Sequence, residues 1–249
     1  MRLAKKKIIV TGGGSGFGAA MCRLFAREGA QVLVADINGA AAEKVASEIG
    51  ASAQPFTADV SDGKQVKAMV DRAVSAFGDL DVVVNNAGFT HKNTPMLNVD
   101  EATFDRVFAI NVKSIYWAAQ AAVPVFRKRG GGVFLNIASV AGLRPRPGLS
   151  WYNGSKGAAI ILTKSMAVEL APDKIRVNAL CPVMGVTGML ESFMGMPDTP
   201  ANRARFIATI PMGRLAEADD IAKAAIYFVA DESDFITGVC MEVDGGRTI

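Results

Sequence analysis

Tyr152 and Lys156 stand four residues apart, so on a helix their side chains share one face and a phenol lies beside an ammonium. Such a pair can move a proton. A free phenol has a pKa of about 10 and a positive neighbour favours the phenolate. Bringing it to about 7 would take roughly 4 kcal/mol, which charges at short range in a closed site can supply. Tyr152 would then take a hydroxyl proton or return one to a carbonyl oxygen. Ser139, thirteen residues before Tyr152 and at the end of a strand-like run, would hold the same oxygen.

A second set of residues could hold a phosphate. Thr11-Gly12-Gly13-Gly14-Ser15-Gly16-Phe17-Gly18 follows a β-branched run and precedes a helix-like stretch. In that position glycines let backbone approach closely, and helix-terminal N–H groups face an anionic pyrophosphate. The string satisfies G-x-G-x-x-A only through Gly14, Gly16 and Ala19, and a turn serving helix–strand packing alone is the other reading. It is not a P-loop, since no Gly-Lys-Ser/Thr follows. Asp36 lies 18 residues after Gly18, near the ~20-residue spacing of the acid that accepts hydrogen bonds from the adenosine ribose. Alternatively it caps the helix beginning near Asn38. A carboxylate there would repel a 2′-phosphate, which points to NAD rather than NADP. Asp59-Val60 and Asn85-Asn86-Ala87-Gly88 fall at further strand ends on the same sheet edge.

The elements that must position these groups follow from the hydrophobic pattern. Short β-branched or apolar runs at residues 7–10, 31–35, 53–57, 81–85, 132–137, 176–180 and 239–243 read as strands. Helix-like stretches near 19–28, 40–49, 62–77, 101–126, 156–170 and 218–230 lie between or beside them. Strands alternating with helices predict an α/β fold whose seven-stranded parallel sheet is covered on both faces, and right-handed crossovers make it doubly wound. No linker interrupts the alternation, so one domain over residues 1–249 is expected. Residues 184–213, rich in Met, Gly and Pro, lack a clean packing period. An insertion at the carboxyl end of a strand is a candidate substrate lid.

Composition narrows the function further. Lys and Arg total 27 against 24 acids, a net charge of +3 with no dominant basic stripe, so nucleic-acid binding gains no support. No apolar run approaches the ~18 residues of a membrane span. Cys22, Cys181 and Cys240 are scattered and odd in number, and His91 is the only histidine. Neither a disulfide framework nor a metal site is expected, and a reducing cytoplasm fits best.

Taken in order, these residues resemble a short-chain dehydrogenase/reductase over essentially the whole chain. Thr11-Gly-x-x-x-Gly16-x-Gly18 resembles the family's cofactor loop, and Asn85-Asn86-Ala87-Gly88 its fourth-strand motif. Asn111, Ser139, Tyr152 and Lys156 match its catalytic tetrad, and Pro182 with Thr187 its Pro-Gly-x-x-x-Thr stretch over the nicotinamide. Val183 departs from the glycine usual there. The resemblance implies a Rossmann-like fold, an adenine contact at Asp59, a role for Asn111 in supporting Lys156 through backbone and water, and a homotetramer. It also implies NAD(H)-dependent hydride transfer between nicotinamide and a secondary alcohol or ketone. Gly12, Ser15, Gly16, Phe17, Gly18, Asp36, Asp59, Val60, Asn86, Ala87 and Gly88 would bind the cofactor, with Tyr152, Lys156, Pro182 and Thr187.

Two alternatives stand beside this expectation: a 3-oxoacyl-carrier-protein reductase using NADPH, and a dinucleotide-sensing protein without turnover. Asp36 opposes the first, and an intact Ser139, Tyr152 and Lys156 the second. The substrate, the direction and the stereochemistry are not legible in the sequence. Arg144 and Arg146, in a proline-stiffened turn between Ser139 and Tyr152, could meet an anionic substrate group or point to solvent or a neighbouring subunit. Met184, Met189, Met194, Met196 and Met212 could form a soft surface over a hydrophobic substrate, or ordinary packing. Residues 157–162 are apolar all round, which suggests burial against another chain as well as the sheet.

Overall fold

The computed structural model describes residues 1–249, and the alternating pattern folds into one parallel sheet. β1 (Lys7–Thr11) leads into α1 (Gly16–Arg27), β2 (Gln31–Asp36) into α2 (Gly39–Ile49), and β3 (Ala53–Thr57) into α3 (Gly63–Phe77). β4 (Val82–Asn85) is followed by α4 (Glu101–Phe108), a π-helical turn at Ala109–Lys113, and α5 (Ser114–Arg129). Then come β5 (Gly132–Ile137), α6 (Ser150–Leu170), β6 (Ile175–Pro182), the short helices α7 (Leu190–Met194) and α8 (Pro200–Ile207), α9 (Ala218–Val229) and β7 (Cys240–Val243). The strand order is β3-β2-β1-β4-β5-β6-β7, parallel throughout. No helix is long and apolar enough to cross a membrane.

The central strands are apolar on both sides because both sides are covered. Ile8 and Val10 of β1 join the larger core, which includes buried residues of α1, α2 and α9; Ile9 joins the smaller core with residues of α3, α5 and the second half of α6. Pro55, which lacks a donor for the ladder, sits on the edge strand β3, where one is not required. Strand order reverses between β1 and β4, so the chain leaves their carboxyl ends in opposite directions and opens a crevice there.

Three elements differ from the sequence expectation, each for a local reason. Residues 101–126 are not one helix: the π turn separates α4 from α5 and buries Asn111. α6 begins at Ser150, before the apolar run, because Tyr152 and Asn153 are buried by tertiary contacts rather than favoured by propensity. Residues 184–213 are better packed than their composition suggests. Met184, Leu190, Met194 and Ile210 belong to the larger core, and α7 and α8 are too short to display a period.

A buried polar chain joins three of these elements. Asn85 Nδ2 of β4 donates to Asn136 Oδ1 of β5 at 2.9 Å, and Asn136 Nδ2 donates to Thr163 Oγ1 of α6 at 2.9 Å. Thr163 Oγ1 in turn donates to the Ala159 carbonyl at 2.8 Å. Replacing Asn136 by leucine would strip the Asn85 amide of its acceptor in a site closed to water. We expect Asn136→Leu to lower unfolding stability by about 2 kcal/mol, read as a Tm drop of roughly 4–8 °C at fixed protein concentration. An unchanged Tm would show that the chain contributes nothing.

Candidate active site

The crevice between β1 and β4 is held by the loop after β1. Thr11 Oγ1 accepts hydrogen bonds from the Asn86 and Ala87 backbone N–H groups, both at 3.0 Å, and Asn86 Nδ2 returns one to the Thr11 carbonyl at 2.8 Å and another to that of Gly12 at 3.2 Å. Asn86 therefore lines the crevice while its amide nitrogen serves the loop. Gly18 has no room for a side chain: a Cβ there would lie 2.0 Å from the Gly12 carbonyl oxygen. Gly16, at φ +51°, begins α1 in a conformation that favours glycine.

The amino terminus of α1 lacks an internal cap. Ser15 makes no side-chain bond to it and no acid lies in its first turn, whereas Asn38, Asp62, Asp100 and Thr199 cap α2, α3, α4 and α8. Its free N–H groups open on the cleft formed by Gly12, Ser15, Gly16 and Phe17, a donor set that fits a pyrophosphate. Thr187 closes this corner, its methyl 3.3 Å from where a Gly16 Cβ would stand. At Val183, where the family pattern has glycine, the backbone N–H donates to the Val243 carbonyl at 3.2 Å, so this corner keeps a strand-like bond. Pro182 ends β6 beside it.

Asp36 sits at the end of β2 facing the same cleft. Its two oxygens accept from the backbone N–H groups of Gly14 and Asn38, each at 2.9 Å. Since Asn38 is the residue that caps α2, Asp36 is left to orient the loop at the edge of the cleft. Asp59 binds the Ser61 backbone and hydroxyl through Oδ1 and lines the cleft with Val60, Ala87 and Gly88.

Tyr152, Ser139 and Lys156 meet on the other side of the cleft. Ser139 follows β5 and accepts from the Ala141 N–H at 3.1 Å. Tyr152 is buried against the edge of Phe193, with ring centroids 5.1 Å apart. Lys156 Nζ lies 5.8 Å from the Tyr152 ring centroid and donates to the Ile137 carbonyl at 2.8 Å. Burial pushes the Tyr152 phenol up to about 12, against a smaller pull downward from hydrogen bonding with Ser139. Burial likewise pushes the Lys156 ammonium down to about 8.

Asn111 reaches this group by an unexpected route. Its Nδ2 donates to the Phe89 carbonyl at 2.8 Å and to Ser155 Oγ at 2.9 Å, while its Oδ1 accepts from the Phe89 N–H at 2.9 Å. Ser155 Oγ then donates to the Tyr152 carbonyl at 2.7 Å. Asn111 thus holds the turn of α6 that carries Tyr152 through Ser155, and it makes no direct bond to Lys156. The two meet only across Gly88, whose added Cβ would stand 3.6 Å from both Asn111 Oδ1 and Lys156 Nζ. Sequence reading missed Ser155, although its place immediately before Lys156 was the available signal.

The cleft has a volume of about 660 Å³. Met184 and Met189 line it, Met194 is buried beneath, and Met212 is exposed, so the methionines divide between cover and packing. Arg144 and Arg146 both border the cleft. His91 is buried with Nδ1 2.9 Å from the Lys92 carbonyl and does not line the cleft.

Known proteins resemble this chain in sequence and fold. The protein-family profile described as "Enoyl-(Acyl carrier protein) reductase" matches residues 12–248. The chain is 51% identical to a 4-formylbenzenesulfonate dehydrogenase of Comamonas testosteroni over 100% of both chains. It is 34% identical to a 3-oxoacyl-[acyl-carrier-protein] reductase of Thermotoga maritima, again over 100% of both. A crystal structure of a 3-ketoacyl-(acyl-carrier-protein) reductase from Brucella melitensis, complexed with NADH, superposes with a TM-score of 0.94 at 44% identity, covering 99% of this chain and 100% of that one.

The burial of Tyr152 gives a measurable expectation for the ligand-free protein. The difference between ultraviolet pH titrations of wild type and Tyr152→Phe isolates this phenol and should place its ionisation near 12, above the ordinary value of about 10. Circular dichroism on the same samples establishes that the protein is still folded. A midpoint at or below 10 would contradict the closed environment described.

Proposed function

Because this chain belongs to the short-chain dehydrogenase/reductase family, we propose that it is an NAD(H)-dependent oxidoreductase interconverting an alcohol and a carbonyl compound, with Tyr152 as general acid and base. The observation that carries this reading is the convergence of Ser139, Tyr152 and Lys156 on the same cleft as the uncapped helix and Asp36. Gly12, Ser15, Gly16, Phe17 and Gly18 would hold the pyrophosphate, Asp36 the adenosine ribose, and Asp59 and Val60 the adenine. Pro182 and Thr187 would border the nicotinamide, with Asn86, Ala87 and Gly88 along the opposite wall. When bound, the cofactor supplies or accepts the hydride.

The chain's own residues handle the proton. With its phenol near 12, Tyr152 is protonated at neutral pH and ready to donate to a carbonyl oxygen. Acting as base is harder: lowering it to about 7 requires roughly 7 kcal/mol, more than the roughly 4 that an unperturbed phenol would need. A Lys156 ammonium at about the observed separation supplies some 3 kcal/mol at an effective dielectric near 20. The remainder falls to the positive charge of the oxidised nicotinamide, since the pull of Ser139 is already contained in the value near 12. Ser139 would hold the substrate oxygen, and Asn111 would position Tyr152 through Ser155.

We further propose that residues 1–249 act as one domain with 184–213 covering the substrate, assembled as a homotetramer in a reducing cytoplasm. The exposed Ile161 and Val168 of α6 offer an apolar face to a second copy, and the three unpaired cysteines suit that compartment. The Comamonas relative makes 4-formylbenzenesulfonate and its alcohol the first compounds to assay. Carrier-protein-linked 3-oxoacyl reduction is the second reading, favoured by the Brucella structure.

Tyr152→Phe is expected to lower kcat at least about a thousandfold while NADH affinity, read by fluorescence titration, stays within a few-fold. Retained turnover would remove Tyr152 from the mechanism. Asp36 should set cofactor choice, because its carboxylate meets the 2′-phosphate of NADP and the neighbouring Ile37 offers no compensating charge. A repulsion of about 2 kcal/mol after screening corresponds to a preference for NAD of roughly thirtyfold. Asp36→Ala should erase that preference, and a further Ile37→Arg should improve NADP use beyond it. A wild-type enzyme favouring NADP, or a kcat/KM ratio unmoved by Asp36→Ala, would defeat the assignment.

A further inference from the structure

Four arginines gather on the substrate side of the cleft. Arg144 and Arg146 come from the turn before α6, Arg205 from α8, and Arg247 from the segment after β7. None of them forms a salt bridge, whereas Arg203, two residues before Arg205, and Arg214 are paired with Asp198 and Asp220. The carboxylates lining the cleft, Asp36 and Asp59, both stand at the cofactor end. This leaves a local concentration of guanidinium charge without an internal counter-ion.

The cluster is built rather than incidental. Arg144 Nη1 donates to the Arg247 carbonyl at 2.5 Å, tying the turn to the segment after β7. That segment is folded around the buried Asp244, which accepts from the Gly246 and Thr248 N–H groups at 2.9 and 2.8 Å and from the Thr248 hydroxyl at 2.7 Å. The Arg146 carbonyl accepts from Asn153 Nδ2 at 2.8 Å, so its position is fixed against the residue beside Tyr152. The Arg146 guanidinium stacks on Phe206, 4.7 Å from the ring centroid. Burial, and then the charge of Arg247, push that guanidinium below its ordinary range. Two cations held this way, without a carboxylate between them, are relieved by an anion, and planar guanidinium forks match a sulfonate or carboxylate in two-pronged geometry.

We propose that Arg146 and Arg247, flanked by Arg144 and Arg205, form an anion subsite that binds the sulfonate or carboxylate of an aromatic substrate whose alcohol or aldehyde group reaches Tyr152. Phe193 beside Tyr152 and Phe206 beneath Arg146 supply aromatic walls for the body of such a molecule. The subsite deepens the oxidoreductase reading and rests on it for the placement of the reacting carbon.

The test compares kcat/KM for 4-(hydroxymethyl)benzenesulfonate, 4-(hydroxymethyl)benzoate and the uncharged 4-methylbenzyl alcohol. Charge-assisted hydrogen bonds of this kind should favour at least one of the two anions over the neutral alcohol by about thirtyfold, and the stronger of the two identifies the group the site prefers. Arg146→Gln and Arg247→Gln should each reduce that ratio about tenfold or more, with NADH titration reporting that each variant is folded. A ratio near one in the wild type, or a ratio that both variants leave in place, would overturn the subsite. Calorimetric titration of 4-methylbenzenesulfonate, which carries no alcohol, into the NADH-bound protein separates the two proposals. Binding that weakens about tenfold in the variants supports the subsite even where no alcohol is turned over, a result that would defeat only the catalytic reading. Absence of binding to the wild type overturns the subsite even where neutral alcohols are oxidised.

Discussion

The cleft depends on a reciprocal exchange of four hydrogen bonds at the point where strand order reverses. Thr11 Oγ1 receives two backbone N–H groups from the end of β4, and Asn86 returns its side-chain amide to the carbonyls of the glycine loop. Parallel strands diverge at such a point, and their carboxyl ends would otherwise present unpaired backbone groups to the crevice. The Thr11–Asn86 exchange satisfies those groups and fixes how far the loop stands from the wall opposite. Gly18 can then approach the Gly12 carbonyl too closely for any side chain, and the first turn of α1 faces the opening with its N–H groups uncommitted.

The same principle recurs one strand further along. Asn111 satisfies both polar groups of the Phe89 backbone and passes a hydrogen bond through Ser155 to the carbonyl of Tyr152. Asn85, Asn136 and Thr163 tie β4 and β5 to the middle of that helix. Buried networks of this kind carry a large penalty if one member is left unsatisfied, so they resist small rotations of α6. The proton transfer proposed for Tyr152 would need that rigidity, since misplacement of about 1 Å is costly in rate. Packing alone, with alanine and isoleucine on this helix, would define the orientation less sharply.

The sheet was legible in the sequence because a strand buried on both faces writes a continuous β-branched run, as at Ile8–Val10 and Val82–Val84, and the first of these runs into glycines that mark the turn. The pairing of Tyr152 with Lys156 was legible because helical spacing is local. The π turn was hidden, since an extra residue in a helix-forming stretch leaves composition untouched and merely shifts phase. Ser155 was overlooked for a related reason: its importance comes from Asn111, 44 residues away in sequence. The arginine cluster lay furthest from reach. Arg144 and Arg247 are 103 residues apart, and only the closure of the fold brings the end of the chain beside the turn before α6. Residues 184–213 hid their packing in helices shorter than the roughly eleven residues over which a helical period is read.

The π turn at Ala109–Lys113 has a consequence for how this protein tolerates change. A widened turn is an α-helix carrying one surplus residue, and removing that residue would restore regular i to i+4 bonding along a single rod from Glu101 to Arg129. Because the widened turn already absorbs the surplus residue, the repaired helix would keep its phase, and Ala118, Ala122 and Phe126 of α5 would still face the sheet. What the repair would lose is the station of Asn111, buried inside the widened turn with its amide committed to the Phe89 backbone and to Ser155. The irregularity is therefore constrained by the side chain it carries more than by the helix it interrupts.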